Sequence, residues 1–469
     1  MKIELPEYVK RALDLLREGG AEGWLVGGCV RDAMLGRKPD DFDVAVSTPP
    51  QETARIFKDY KVVPTGLKHG TVTVLIDGRP LELTTFRRDG EYADSRHPAE
   101  VTFVSDVESD LARRDFTVNA AAWSPDRGLC DPFGAAKDAQ NGVIRCVGDP
   151  VKRFGEDALR ILRALRFASI LGFEIEENTE NAIRKMHRTL ADISRERVRD
   201  EFCKLICGKG SVGVLLSYKE VIAGVIPELR PCMGFDPANN RHKYDVYEHC
   251  VRTSAGIDVD FAESVGVDRS AEVAMRLAGL FHDCAKPECL TVSDDGRVRY
   301  PRHETAGARI AGNVLRRLRF DKDTIHIVCG IIVRHDSYPK PNRNSVRRDI
   351  AATGAKLWWM TDVLRRADNS AKADGAYSDD GRYFEAVESH ARAVFRDGDC
   401  VSPEMMDIDG GDILRLGVSG PVLGDVKRRL FDEIVDGKIE NERTRLIERA
   451  IQLIDITCKE QSERNGITQ

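Results

Sequence analysis

Residues 23–46 read GWLVGGCVRDAMLGRKPDDFDVAV, and the fold of the N-terminal region turns on this stretch. The apolar run at Trp24 to Val26 has the continuous character of a strand, and Gly27 and Gly28 interrupt it. CVRDAMLG then resumes with helical periodicity before a second strand, DFDVAV. Residues i and i+2 of a strand share a face, so Asp41 and Asp43 are expected to project together while Phe42 and Val44 enter the core. Asp40 faces away or lies in the turn. Two carboxylates on one face repel unless a cation lies between them, and their hard oxygens suit Mg2+. Two such ions can activate an attacking hydroxyl and hold a leaving pyrophosphate. The glycine turn opening a helix offers backbone amides to phosphate, and Arg31 sits one turn in. GxxxxGK[ST] is absent, so this is no Walker loop. A DxD alone reads as a solvated strand end, but a phosphate cradle beside it describes a nucleotidyl-transfer site.

The surrounding composition fits a soluble globular chain. Its 469 residues exceed one ordinary core and suggest about three domains. Hydrophobic residues make up 42% and charged residues 32%, and no apolar run is long enough to cross a bilayer. Twelve cysteines without CxxC spacing point to reduced thiols and a cytoplasmic location. The net charge of −6 argues against broad nucleic-acid binding, although residues 301–350 carry eleven Lys or Arg against five acids. WLVGG, DFDVAV, GTVTVLID and RPLELTTFR read as strands, with CVRDAMLG and TPPQETARIFKDY as helices. After residue 141 the texture becomes helical. GDPVKRFGEDALRILRALRFASILG has Asp149 and Pro150 as a start and Gly172 as a stop, and a further helix starts at Ser194.

GGCVRDAMLGRKPDDFDVAV resembles the signature of the polymerase-beta-type nucleotidyltransferases. The similarity is to the branch holding class II tRNA nucleotidyltransferases (CCA-adding) and bacterial poly(A) polymerases. It continues through GLKHGTVTV, LELTTFRRDGEYADSRHP, DLARRDFTVNAAAW, DPFGAAKDAQNGVIRCVGDPVKRFGEDALRILRALRFA and ISRERVRDEF, across most of residues 20–205. The resemblance implies catalytic, Mg2+-holding Asp41 and Asp43. It also implies nucleotide contacts at Gly27, Gly28, Arg31, Arg114, Asp115, Asn119, Asp157, Arg160 and Arg163. Physically, Asp115 can accept from a ribose 2′-OH. Asp157 and Arg160, at i and i+3, are expected on one helix face. One accepts and one donates, which matches the amine and ring nitrogen of cytosine or adenine and leaves uracil and guanine mismatched. Residues 87–98 match the family's mobile loop for switching from C to A addition, with Arg88, Glu91, Asp94 and Arg96 present. Glu82 is a candidate third carboxylate, a structural role being as natural.

Six of the ten histidines fall between residues 242 and 335. The adjacent His282–Asp283 pair and the spacing around it resemble the HD-domain metal phosphohydrolases. His249, His282, Asp283 and Asp368 match the basic ligand set, and His303 and His335 match the further ligands of a two-metal version, with His326 a weaker substitute. Such a set suits Mn, Fe, Ni or Co. Asp283 would bridge, and Lys286 would stabilise developing charge, although Ala285 stands where HD proteins often carry glycine.

The expected architecture is therefore α+β, a mixed-sheet nucleotidyltransferase head followed by helices. The expected segments are a head at 1–141, a neck with the base template at 142–207 and a body segment at 208–241. An HD domain at 242–375 and a tRNA-binding tail at 376–469 complete the chain. The implied activity is addition of CCA to the tRNA 3′ acceptor end from CTP and ATP, with no membrane partner and an oligomeric state left open. Rivals are a poly(A) polymerase, disfavoured because GLKHGTVTV stands where those proteins carry an arginine-rich segment, and a CC-adding enzyme, disfavoured by the intact loop. An HD phosphohydrolase or RNA-binding protein with an inactive head is the remaining reading.

Overall fold

A computed structural model describes residues 3–66, 70–90, 101–237, 243–372 and 376–466. Two compact units emerge, Met1–Pro227 and Glu228–Gln469. Their boundary falls inside the 208–241 segment that sequence texture set apart.

The first unit begins α1 (Glu7–Glu18), β1 (Gly23–Val26), α2 (Gly28–Met34), β2 (Asp43–Val46), α3 (Pro50–Ile56). It continues β3 (Lys61–Gly66), β4 (Thr71–Ile76), β5 (Arg79–Thr85), β6 (Arg87–Asp89), β7 (Val101–Phe103), α4 (Val107–Ala112), β8 (Ala122–Ser124) and β9 (Gly128–Cys130). Seven strands form one sheet in the order β3-β4-β5-β2-β1-β8-β9, and β6 and β7 pair separately. Every neighbour in the large sheet is antiparallel except β2–β5, which is parallel. The sheet is mixed, as expected. Period-two alternation sends Leu25, Val44 and Val46 to a core shared with Leu13, Leu16 and Phe57. Trp24, Val26 and Ala45 enter a second core with Phe86 and Leu111. Strand β3 was hidden in the sequence by Pro64; it lies at the sheet edge with a register shift between Val63 and Gly66, where proline is tolerated.

Helices α5 (Ala135–Asn141), α6 (Pro150–Glu156), α7 (Leu159–Leu171), α8 (Glu177–Met186), α9 (Arg195–Ile206), α10 (Ser211–Ser217) and α11 (Lys219–Val225) follow. Asp149 caps α6, accepting from the Val151 amide at 2.9 Å, and Gly172 ends α7 at φ 74°. The single helix expected between them is instead two. Asp157 stands in the break at φ −151°, ψ 103°, and its carboxylate accepts from the Leu159 amide at 3.0 Å. A short acid that bonds nearby backbone competes with helix continuation. Ser194 occupies the N-cap of α9, but its hydroxyl makes no capping bond.

The second unit is helical apart from a two-residue strand pair, Thr291–Val292 with Val298–Arg299. Its helices are α12 (Val246–Ala255), α13 (Val259–Ser264), α14 (Glu272–Phe281), α15 (His303–Arg317), α16 (Lys322–Arg334) and α17 (Arg343–Thr353). Then come α18 (Ala355–Ser370), α19 (Ala376–Arg396), α20 (Gly410–Arg415), α21 (Gly420–Val435) and α22 (Arg443–Gly466). Helices α12, α14, α16 and α18 pack together, while Ile413, Val426, Leu430 and Leu446 build a separate core. Among the described residues no helix is long and apolar enough to cross a membrane, and the twelve cysteines form no disulfide.

Leu25 is fully buried on β1, an interior strand of the sheet. Leu25→Ala is expected to destabilise the first unit by about 2–5 kcal/mol through the cavity it leaves, measured by urea unfolding.

Candidate nucleotide cleft and histidine cluster

Gly27 takes φ 74° between β1 and α2, a conformation that a side chain would strain. A Cβ there would also stand 3.2 Å from Arg114 Nη1. The glycine turn and Arg114 thus face each other across an open cleft of about 650 Å3. Gly27, Gly28, Arg31, Asp43, Glu82, Arg114, Asp115, Asn119, Asp157, Arg160 and Arg163 all line it. Nine of the sequence-derived nucleotide positions and one of the two aspartates expected to be catalytic therefore meet.

Asp41 behaves differently. Strand β2 starts at Asp43, so Asp41 precedes it, is exposed, and lies outside the cleft lining. Its charge still bears on Asp43, and Phe42 and Val44 are buried as expected. Asp43 also stands beside Glu82, its register partner on the parallel strand β5. Burial against the cleft walls, then the charges of Asp41 and Glu82, push the Asp43 carboxyl above its ordinary range, with Arg114 opposing. A cation among these oxygens would relieve that repulsion, so the donor set fits Mg2+.

Carboxylates behind the cleft hold its arginines. Buried Asp110 pairs with Arg113 at 2.8 Å and Arg114 at 3.2 Å. Arg31 donates to Asn119 Oδ1 at 3.0 Å. Arg163 binds Asp115 at 2.6 Å, and Arg166 binds Glu201 at 3.0 Å. Arg31, Arg163 and Arg166 stand 5.5, 5.5 and 4.1 Å from the centre of the Phe167 ring, whose negative face helps hold three like charges together. Asp110, Arg166 and Phe167 were missed in the sequence because nothing local distinguishes them.

The EDALR reading needs correction. With Asp157 in a helix break, Asp157 and Arg160 do not share one helix face. Arg160 is bound by Glu156 at 2.6 Å, and Asp157 by Arg197 of α9 at 2.6 Å. Both still line the cleft. Glu156 was legible as the acid four residues before Arg160, whereas Arg197 lies forty residues from Asp157. Arg88 is exposed on β6 and donates to Ser109 at 3.3 Å; Glu91, Asp94 and Arg96 lie outside the described residues.

In the second unit all six proposed ligands converge. His249 comes from α12, His282 and Asp283 follow α14, His303 opens α15, His335 follows α16, and Asp368 is on α18. Two trios of possible metal donors, His249–His282–Asp283 and Asp283–His303–His335, share Asp283. Asp368 Oδ1 is 2.9 Å from His249 Nε2 and 3.5 Å from His282 Nε2. The Nδ1 atoms of His282, His303 and His335 lie 2.8, 2.9 and 2.7 Å from backbone carbonyls. A carbonyl only accepts, so each of these Nδ1 atoms donates, and each Nε2 turns inward where it can ligate a metal. Nε2 atoms meet at 3.3 Å (His249, His282) and 3.4 Å (His303, His335). Imidazole and carboxylate donors gathered this closely suit a metal ion, and the residues fit one. His326 is exposed on α16 and outside both trios. Lys286 reaches Asp283 at 2.6 Å despite Ala285.

In the tail, Arg428, Arg429, Arg443 and Arg449 each face an acid, so their charge is partly answered within the fold.

Residues 23–145 match the family described as Poly A polymerase head domain, and residues 172–232 match the probable RNA and SrmB-binding site of polymerase A. The CCA-adding enzyme of Ligilactobacillus salivarius is 32% identical over 461 residues, spanning 96% of this chain and 98% of that protein. That of Lactobacillus johnsonii is 48% identical over 215 residues, 45% of this chain and 54% of the relative. In such shorter matches the chain spans about half the length of the curated relatives. The crystal structure of Bacillus stearothermophilus CCA-adding enzyme in complex with CTP superposes with a TM-score of 0.70 at 26% identity, covering 97% of this chain and 98% of that one.

Burial alone would raise the Asp115 carboxyl, but the Arg163 guanidinium outweighs it and holds the group at about 2. A depressed folded-state pKa contributes stability above the unfolded value, and that contribution is lost as pH falls toward 2. Asp115→Asn is therefore expected to cost about 2 kcal/mol near neutral pH. The gap between mutant and parent should hold down to about pH 5 and narrow below about pH 4, where the unfolded carboxyl titrates, as followed by urea unfolding.

Proposed function

The chain belongs to the CCA-adding enzyme family, and from that membership we propose that its first unit adds C, C and A to the 3′ end of tRNA from CTP and ATP, with no nucleic-acid template. One observation carries the reading: the Asp43–Glu82 pair and the Gly27 turn with its arginines open onto one cleft. Gly27 and Gly28 amides with Arg31 and Arg114 receive the triphosphate. Asp43 and Glu82, with Asp41 close by, hold Mg2+, which when bound assists the attacking tRNA 3′-hydroxyl and offsets charge on the departing pyrophosphate. Asp115 and Asn119 face the sugar. Asp157 accepts from the exocyclic amine of cytosine or adenine, and Arg160 donates to the adjacent ring nitrogen. Arg197 and Glu156 hold these two side chains from behind.

Incubation with tRNA lacking its 3′ end and with each nucleotide singly and in pairs tests the reading. CCA followed by a stop is expected; a long A tail would instead identify a poly(A) polymerase, and CC alone a CC-adding enzyme. Asp43→Ala is expected to lower incorporation about 1000-fold or more, since several kcal/mol of charge stabilisation disappear. Asp157→Ala should reduce discrimination of CTP over UTP about 10- to 100-fold as a polar match is lost.

A second reading rests on the converging trios. The second unit is a metal-dependent phosphoester hydrolase of HD type, using Mn, Fe, Ni or Co, with Lys286 answering charge on the phosphate. Lys and Arg residues of its tail contribute to gripping tRNA phosphates. Equilibrium dialysis of the full chain against Mn2+, with Asp41 and Asp43 both replaced by Asn, is expected to retain two ions. His249→Ala should lose one of them.

A further inference from the structure

The second trio depends on where α16 ends. His335 is the next residue, and its Nε2 stands 3.6 Å from Asp283 Oδ1 and 3.4 Å from His303 Nε2. The carbonyls flanking His335 belong to Arg334 and Ser337, and one guanidinium binds both. Arg365 Nη2 donates to Arg334 O at 3.0 Å and also to Ser337 O.

Arg365 is 2% exposed and lies on α18, three residues before Asp368. Helix α18 therefore delivers a carboxylate to the first trio and, one turn earlier, a clamp to the turn carrying the second. A helix end leaves carbonyls without intrahelical partners, and a cation there is favourable. An exposed lysine would serve that purpose at little cost. A buried guanidinium is costlier: the Asp349 carboxylate is 3.7 Å away, and Nε and Nη1 find no hydrogen-bond acceptor among the described residues. Both bonds come from one terminal nitrogen whose two hydrogens are held in the guanidinium plane, so their directions are fixed where those of a lysine ammonium rotate. Metal ligands keep their orientation through such outer partners.

We infer that Arg365 is a positioning residue, clamping the His335 turn so that Asp283, His303 and His335 can hold a metal ion that the first trio's site does not require. The inference rests on reading the cluster as a two-metal site. Neither Arg365 nor the turn carbonyls touch the reacting atoms, so the readout is metal occupancy.

The test uses the full chain with Asp41 and Asp43 replaced by Asn, stripped with chelator and titrated with Mn2+, with bound metal counted after dialysis. The parent should bind two ions. Arg365→Met should keep one at parental affinity and weaken the other about 10- to 100-fold. Arg365→Lys, keeping the charge without the planar, directionally fixed donor, should fall between them and decides the matter if the methionine variant does not fold. Adding His335→Ala to Arg365→Met should weaken binding no further than His335→Ala alone. Two ions at parental affinity in both Arg365 variants would overturn the inference. So would loss of both ions together from a variant with native circular dichroism, since Arg365 would then support α18 as a whole. A parent binding fewer than two ions defeats the two-metal reading itself, a result distinct from either.

Discussion

The parallel pairing of β2 with β5 places Asp43 directly beside Glu82, and the chemistry of the first unit depends on this enforced meeting of like charges. The two strands cannot slip apart in register without turning Val44 and Leu83, both buried, out of the core. Hydrophobic packing therefore holds two acids together that electrostatics would separate, and burial, followed by the charges of Asp41 and Glu82, raises Asp43. The arginines across the cleft are treated in the opposite way. Asp110, Asp115, Glu156 and Glu201 answer them, so they keep their orientation before any triphosphate arrives. One wall stores unanswered negative charge and the other a braced array of donors.

The second unit solves a related problem with softer donors. Asp283 joins two trios, and three of their imidazoles, His282, His303 and His335, are oriented by backbone carbonyls. The ligands come from five helices, so no local segment forms the centre; it exists only once α12, α14, α15, α16 and α18 pack. Carboxylate oxygens alone favour a hard ion in the head, whereas mixed nitrogen and oxygen donors favour a transition metal here.

What could be read from the sequence was local, or was carried by motifs. The glycine turn, β1, β2, β4 and β5 follow from runs of a few residues, and the six histidine-cluster ligands follow from a distinctive order of residue types. Long-range partners were not legible. Glu82 was named as a candidate third carboxylate, but its register with Asp43 arises only after β3 and β4 have turned the chain back, and Arg197 reaches Asp157 from another helix. Helical periodicity runs through GEDALR, so it gave no warning of the break, which is made by one side chain bonding to the Leu159 amide. Pro64 disguised an edge strand. Arg365 sits in VLRRADN beside a second arginine, and only burial separates them: Arg366 pairs with Asp362 at 2.8 Å while Arg365 turns to backbone carbonyls.

The acids of the cleft show that partners, more than position, determine what a carboxylate can do. Asp43 and Asp115 both line it. Asp115 accepts from the Phe116 amide at 2.9 Å and from Arg163 at 2.7 Å, and is held at about 2. It is already satisfied, so it offers a sugar hydroxyl at most a residual lone pair, and its larger contribution is to fix Arg163. Asp43 has acidic neighbours and Arg114 as a counterweight, so its lone pairs are the ones a cation would stabilise most. A sequence displays both as aspartates in conspicuous motifs. Their divergence arises from a parallel strand register in one case and from a helix presenting arginine in the other, and those two packing arrangements separate the acid suited to holding metal from the acid that holds the scaffold.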